Sequence, residues 1–420
     1  MSFDTIIIGG GLSGLTAGIA LAKAGQHVAL AAAGPSTLSY FSGSFDLLGY
    51  NAEGKAVSRP LDEIKNLPAS HPYAKLGAGN VAQLAAKAHS LLAEAGLSLK
   101  GDGINNHFRI TPMGVARPAW LSLDDCLTWE APQPSKGDEK SPFNFQILNI
   151  EGFLDFPVEF VAYGLRQMGA QATTHTVALN ILQANRKSPY ETRATSIARL
   201  MDNDEILRDF AAEVESQIPN PQSQIAIVLP AVFGLSGSEP LQKLRSMMGV
   251  PVYVIATLPP SLLGMRVQNV LRKHFVELGG NIFHESKVTS GIISGGEVTS
   301  IASGYSETVT ADNYILATGS FQSHGLVADY RKVSEPLFNL DIDAASSRTG
   351  WTCPAIFESQ PYMSFGVSTD SHLHPLRGAT AVRNLYAVGS VLSGHNALAQ
   401  ADGTGVSLIT ALAAAASIAG

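Results

Sequence analysis

An α/β fold built on a parallel sheet and opened by insertions is what this sequence predicts, on three observations. An apolar strand, Thr5 to Ile8, runs into glycines at 9, 11 and 14, then a helix, then a second strand from His27 to Ala31. Two further apolar strands, Asp312 to Ala317 and Asn384 to Val388, also end on glycine, at Gly319 and Gly389. The 420 residues are 45% hydrophobic and 15% charged, which describes a well-buried chain with core enough for more than one domain.

The first glycines have the G-x-G-x-x-G spacing, directly after a strand and at the mouth of a helix. Gly9 can make the tight turn, Gly11 leaves room for a phosphate to touch the backbone, and Gly14 lets helix and strand approach closely. The free N–H groups of the helix start then face an anion. The expected unit is a Rossmann-like dinucleotide-binding domain of the FAD/NAD(P)-binding type, interrupted by an inserted α+β domain. One residue of that unit is missing. The end of the second strand, where Asp or Glu would hold an adenosine ribose, reads Ala31, Ala32, Ala33, Gly34.

Charge and cysteine content exclude several classes. A net charge of −7 without a basic run argues against nucleic acid. Two distant cysteines, Cys126 and Cys353, cannot ligate an iron–sulfur cluster or a four-cysteine zinc site, and two buried free thiols are expected. Thr5 to Ala22 is uncharged but broken by glycines, so neither a membrane span nor a signal peptide is expected. The apolar end, Val406 to Gly420, reads as a buried closing helix.

In chain order, Ser42, Gly43 and Ser44 lie in a loop of small residues after the second strand, which suits close approach to a cofactor. Residues 50 to 75 read as a surface excursion, and Asn80 to Ala95 as an amphipathic helix. Pro and Lys accumulate from Pro132 to Pro142, a shift in composition. Phe145 to Ile150 is a strand, Val158 to Met168 a helix and Thr174 to Leu182 extended, with Thr195 and Ser196 placed to cap a helix. Gln224 to Leu229 and Tyr253 to Ala256 are buried strands. A helix from Leu262 to Leu278, a strand from Asn281 to His284 and a hairpin turning at Gly295-Gly296 follow. Residues 1–115, 256–330 and 376–420 are therefore assigned to the nucleotide domain, and 116–255 with 331–375 to the insertion.

The three strand-to-glycine junctions should meet at the carboxyl edge of one sheet. Their order resembles the two-dinucleotide-domain flavoproteins. The segments Ser42 to Leu48, Ile110 to Gly114, Thr257 to Ser261, Gly264 to Asn269, Phe365 to Asp370 and Ala387 to Leu392 look like the B subunit of anaerobic glycerol-3-phosphate dehydrogenase, and they span nearly the whole chain. The resemblance implies oxidation of sn-glycerol 3-phosphate to dihydroxyacetone phosphate, with electrons leaving to quinone and fumarate or nitrate as terminal acceptor. It also implies an FMN cofactor and two partners in one complex. One partner is flavin-bearing, and the other is an iron–sulfur, membrane-anchoring protein that holds this cytoplasmic chain at the inner membrane.

Ala32 stands where related FAD enzymes have an acidic residue, which FMN tolerates; the glycine fingerprint suits FAD, so both cofactors stay open. Gly9, Gly11, Gly14, Ser42, Gly43, Ser44, Gly319, Gly389 and Ser390 are the expected cofactor contacts, and no metal site is expected. Alcohol oxidation needs a base, for which His395 is the candidate, and Arg117 and Arg266 are candidates for a substrate phosphate. Each of the three could equally serve packing or a salt bridge if the flavin-bearing partner carries the substrate site. A scaffold subunit without a redox cofactor, and a fumarate-reductase-like flavoprotein with another substrate, are the alternatives.

Overall fold

Ile6, Ile7 and Ile8 are all buried, so both faces of the first strand are covered, as in the middle of a parallel sheet. The computed structural model describes residues 3–34, 36–129, 144–179, 181, 192–218, 225–284, 286–304 and 308–420. In it Phe3–Ile8 is the central strand of five, ordered Asn281–His284, Val28–Ala32, Phe3–Ile8, Ala311–Leu316, Leu385–Ala387, every neighbouring pair parallel. The ladder puts Ile8 beside Ala31 and Leu316, and Leu316 beside Ala387. The glycine junctions therefore leave the sheet side by side along one edge.

The helix Leu12–Lys23 packs against both the closing helix Gly403–Ala419 and the helix Leu262–Glu277. A Cβ on Gly18 would come 2.9 Å from the Phe275 ring, so the small residue sets how closely two of these helices approach. The closing helix is mostly apolar and, apart from Ser407, buried from Gly405 to Ala415, as expected of a core helix. Among the described residues no helix is long and apolar enough to cross a membrane. The hairpin Val288–Ser294 with Glu297–Ser303 turns at Gly295-Gly296, whose φ values of 60° and 80° are those a tight hairpin turn demands.

The insertion departs from expectation in three ways. Four of its strands, ordered Gln171–Val177, Asn144–Ile150, Ile225–Pro230, Val252–Ile255, form an all-parallel sheet, so this part is α/β rather than α+β. Helices lie between successive strands (Val158–Gln167; Ala194–Met201 and Asp204–Gln217; Glu239–Met247), and such crossovers return the chain in the same direction. A boundary at 115/116 is untenable as well, because His107–Ile110 pairs with Ala116–Ala119 across it in an antiparallel hairpin. The segment 331–375, assigned to the insertion, is tied to the nucleotide domain: Gly291 N–H donates to the Leu337 carbonyl and Ser393 N–H to that of Val367.

Smaller corrections follow the same logic. The helix Ala194–Met201 starts after Arg193 with no side-chain cap, so Thr195 and Ser196 lie inside it. The extended segment placed at 174–182 is the strand Gln171–Val177, whose limits are set by pairing with Asn144–Ile150; residues 180 and 182, like 132–142 and 224, lie outside the described residues. Both cysteines are free, but Cys353 is half-buried rather than buried.

Candidate functional site

At the carboxyl edge of the core sheet lies a cleft of about 540 Å³, walled by Gly9 to Ser13, by Ala31, Ala33 and Gly34, by Ala317 to Gly319, and by Ser390 and Ser407. It continues past the second strand to Ser286, Lys287, Val288 and Thr289. A hollow of about 670 Å³ between Met113–Ala116 and the helix Val158–Gln167 is larger. Its wall is mainly apolar, Met113, Val115, Phe160 and Tyr163, with Glu159 and Gln167 among the lining, whereas the glycine cleft gathers backbone and hydroxyl groups suited to a cofactor.

The glycines divide by task. A Cβ on Gly9 would sit 2.1 Å from the Ala317 carbonyl oxygen, and one on Gly14 would sit 1.9 Å from that of Gly9; both serve close packing beneath the cleft. Gly11 differs. Its φ of −84° suits any residue, and a Cβ there would meet nothing nearer than Ser36 Cβ at 3.7 Å, so its bare side faces the cleft. No side chain caps the helix that Gly11 opens, which leaves first-turn N–H groups for an anion. Thr318 Oγ1 is buried without a hydrogen-bond partner among the described residues, a polar atom placed for a ligand. These features fit a flavin nucleotide whose phosphates lie on backbone, with Gly319 and Ser390 on the far wall. Gly389 stands behind Ser390, where a Cβ would be 2.1 Å from Ser13 Oγ.

Ser42, Gly43 and Ser44 are not among the residues lining this cleft. Ser44–Phe45 pairs with Leu121–Leu123, Ser44 Oγ lies 2.7 Å from Ser122 Oγ, and a Cβ on Gly43 would strike Cys126 Sγ and Leu263 at 2.6 Å. Ser122 Oγ in turn lies 2.6 Å from His107 Nε2. Arg266 is also elsewhere. On the helix Leu262–Glu277, it is buried in an ion pair with Asp125 at 2.6 Å and donates Nη2–H to the Phe233 carbonyl.

His395 lies in a buried cluster at the start of the closing helix. Its Nδ1 is 3.2 Å from Asp402 Oδ1, and His71 Nε2 is 2.9 Å from Asp402 Oδ2. The Tyr73 backbone N–H donates to His71 Nδ1, so that nitrogen accepts and the His71 proton sits on Nε2, toward the carboxylate. His395 donates Nδ1–H to Asp402, and its Nε2 bonds no described residue. Burial alone would raise the Asp402 carboxyl; the two imidazoles, His395 ahead of His71, outweigh it and hold Asp402 well below the usual carboxylate range. His71 and Tyr73 are fully buried, which corrects the reading of 50–75 as a surface excursion.

Beside this cluster, Arg109 and Arg117 face Asp46. Burial pushes the Asp46 carboxyl up, against the pull of the two guanidinium groups.

A family model described as an FAD binding domain matches residues 4–406. The B subunit of anaerobic glycerol-3-phosphate dehydrogenase from Yersinia pseudotuberculosis is 41% identical over 98% of this chain and 97% of its own. That of Actinobacillus pleuropneumoniae is 36% identical over 100% of both. This chain belongs to the B-subunit family of anaerobic glycerol-3-phosphate dehydrogenases. The resemblance read from the glycine-bearing segments therefore holds, and the cofactor of this FAD-binding fold is a flavin. Among solved structures, a flavocytochrome c3 fumarate reductase matches 100% of this chain and 78% of its own, at 10% identity and a TM-score of 0.44, too loosely to add to that assignment.

For this member of the B-subunit family, sequence reasoning missed Asp46, His71, Arg109, Thr318 and Asp402 as site residues. Asp46 stood inside the segment Ser42 to Leu48 already singled out, but a carboxylate shows its partners only after folding. His71 carried no signal at all: a single His before Pro72 in a charged stretch reads as a turn.

Proposed function

We propose that this chain is a flavin-bearing dehydrogenase subunit that oxidises the secondary alcohol of sn-glycerol 3-phosphate to dihydroxyacetone phosphate. The observation that carries it is the His395–Asp402 pair. Asp402 fixes the imidazole with its proton on Nδ1, which leaves the Nε2 lone pair to take the hydroxyl proton, and it stabilises the imidazolium that results. Asp402 and Ser407 stand on the same helix end, and Ser407 lines the glycine cleft, so base and cofactor site share one support. A flavin held in the cleft would supply the hydride acceptor and an outlet for single electrons. Gly11, Gly319 and Ser390 would hold it, with Gly9 and Gly14 packed beneath and Gly389 behind Ser390.

FAD is favoured over FMN: the matching family model is an FAD-binding one, and the cleft runs past Ala31 to Ser286–Thr289, giving length for an adenosine moiety. The relatives' designation as one subunit of a dehydrogenase supports partners. We take these to be a flavin-bearing protein together with an iron–sulfur one that passes electrons to quinone at the inner membrane. Among the described residues no group of His, Cys, Asp and Glu could hold a metal ion.

Flavin released from the purified chain, identified by chromatography, and dye reduction by sn-glycerol 3-phosphate with and without the partner subunits test this reading. His395→Ala should lower kcat by about 10²- to 10⁴-fold with the flavin retained. A colourless chain that takes up neither flavin, or an alanine variant with undiminished turnover, would refute it.

A further inference from the structure

Arg109 is a poorly satisfied cation of the described structure. Its side chain is only 14% exposed, yet it donates a hydrogen bond to no described residue, and its nearest carboxylate, Asp46, stands 3.9 Å from Nε. A buried guanidinium left this way bears a desolvation cost that a purely structural arginine avoids. Arg266 shows the contrast: its Nε is also unpaired, but Nη1 and Nη2 are committed to Asp125 and the Phe233 carbonyl.

Arg109 stands directly opposite Arg117 in the antiparallel pair, so both side chains leave the sheet on one face, where like charges repel. Arg117 gives one N–H to the Leu398 carbonyl at 2.9 Å, lies over the Tyr50 ring, and leaves Nε unpaired. Two carboxylates act on this pair's surroundings. Asp402 is already engaged by two imidazoles, and Asp46, one of whose oxygens is buried and unpartnered, is pushed by burial toward its neutral form. The cluster is short of negative charge.

We propose that Arg109 and Arg117 together seat the phosphate of a phosphomonoester substrate, with Asp46 beside them as a competing carboxylate. This rests on the reading of the chain as a dehydrogenase of such a substrate. Paired guanidinium forks match phosphate oxygens in number and geometry. The seat is joined to the base: Asp46 N–H donates to Thr404 Oγ1 at 2.6 Å and its carbonyl accepts from Gly405 N–H at 2.7 Å, so Asp46 is strapped to the first turn of the helix that begins beyond Asp402. A three-carbon molecule held there by its phosphate has the His395 end of the helix beside it.

The test is calorimetric titration of the flavin-loaded full chain with inorganic phosphate and with sn-glycerol 3-phosphate. Wild type should bind both. Arg109→Gln should weaken both at least tenfold, Arg109→Lys by less, and Asp46→Asn should tighten phosphate severalfold, a gain that a merely structural ion pair would not give. No phosphate binding by wild type, or binding within twofold of wild type in the folded arginine variants, would overturn the seat. Should Arg109→Gln fail to fold, Arg109→Lys and Asp46→Asn decide. Dye reduction separates the two ideas: turnover with an unchanged KM in Arg109→Lys removes the seat and leaves the dehydrogenase reading, whereas the expected phosphate binding without any turnover does the reverse.

Discussion

The core sheet and the inserted sheet share an architecture, parallel strands joined by helices, and differ at their carboxyl edges. In the core, strands end on Gly9, Gly319 and Gly389, side chains retreat, and a cleft remains. In the insertion, Ile225–Pro230 runs into Ala231, Val232 and Phe233, and Asn144–Ile150 is followed by Phe153 and Phe156, all buried, so the equivalent edge is filled. Topology nominates the carboxyl edge of a parallel sheet as a binding place. Side-chain volume decides whether it becomes one.

That contrast can be broken from either side. Arg266 braces the filled edge, reaching from a core helix to Asp125 and the Phe233 carbonyl. Arg266→Met should cost about 3–5 kcal/mol by leaving Asp125 buried and unpaired, while KM for sn-glycerol 3-phosphate in the folded fraction stays as in wild type. Chemical denaturation and steady-state kinetics check both halves, and a KM rise without a stability loss would return Arg266 to the substrate site.

Gly11→Val attacks the open edge. The backbone there accepts a side chain and nothing in the fold obstructs it, so Tm should barely change, while flavin affinity should fall by about 10- to 100-fold, or about 1.4–2.8 kcal/mol. Flavin fluorescence titration reads this. Normal affinity in Gly11→Val would mean that the cleft is not the cofactor site.

A pH effect concerns the strand His107–Ile110, whose His107 lies against Ser122. Burial, followed by the charge of Lys100, pushes His107 down to about 4 from its ordinary 6.5, so the imidazole beside Ser122 is neutral in the folded chain. A depressed folded pKa gives stability that is present in full above 6.5 and lost as pH falls toward 4. Denaturation midpoints taken from about pH 7 to pH 4 should decline more steeply in wild type than in His107→Gln. Parallel curves would show that His107 does not couple folding to pH.

Much of this was legible along the chain. The fingerprint at Gly9 to Gly14, the strands running into Gly319 and Gly389, the hairpin at Gly295-Gly296 and the buried closing helix follow local rules of period and conformational freedom, and they appear in the structure where the sequence places them. The parallel order inside the insertion was not legible, because alternating strands and helices of weak periodicity do not by themselves state their pairing. Gly43 and Ser44 show a related ambiguity. Small residues suit a cofactor and suit close strand packing equally, and only the partners Ser122, Cys126 and Leu263 identify the packing.

By itself, then, the sequence determined the core strands, their glycine ends and the family, since each is written in residues near one another or in the order of segments. Only the tertiary structure set His71 against Asp402 across 331 positions, placed Arg109 opposite Arg117 with Asp46 near both, and turned Arg266 away toward Asp125. The physical reason is that charge and hydrogen bonding act through space. A carboxylate or guanidinium acquires its role from neighbours that chain order does not name.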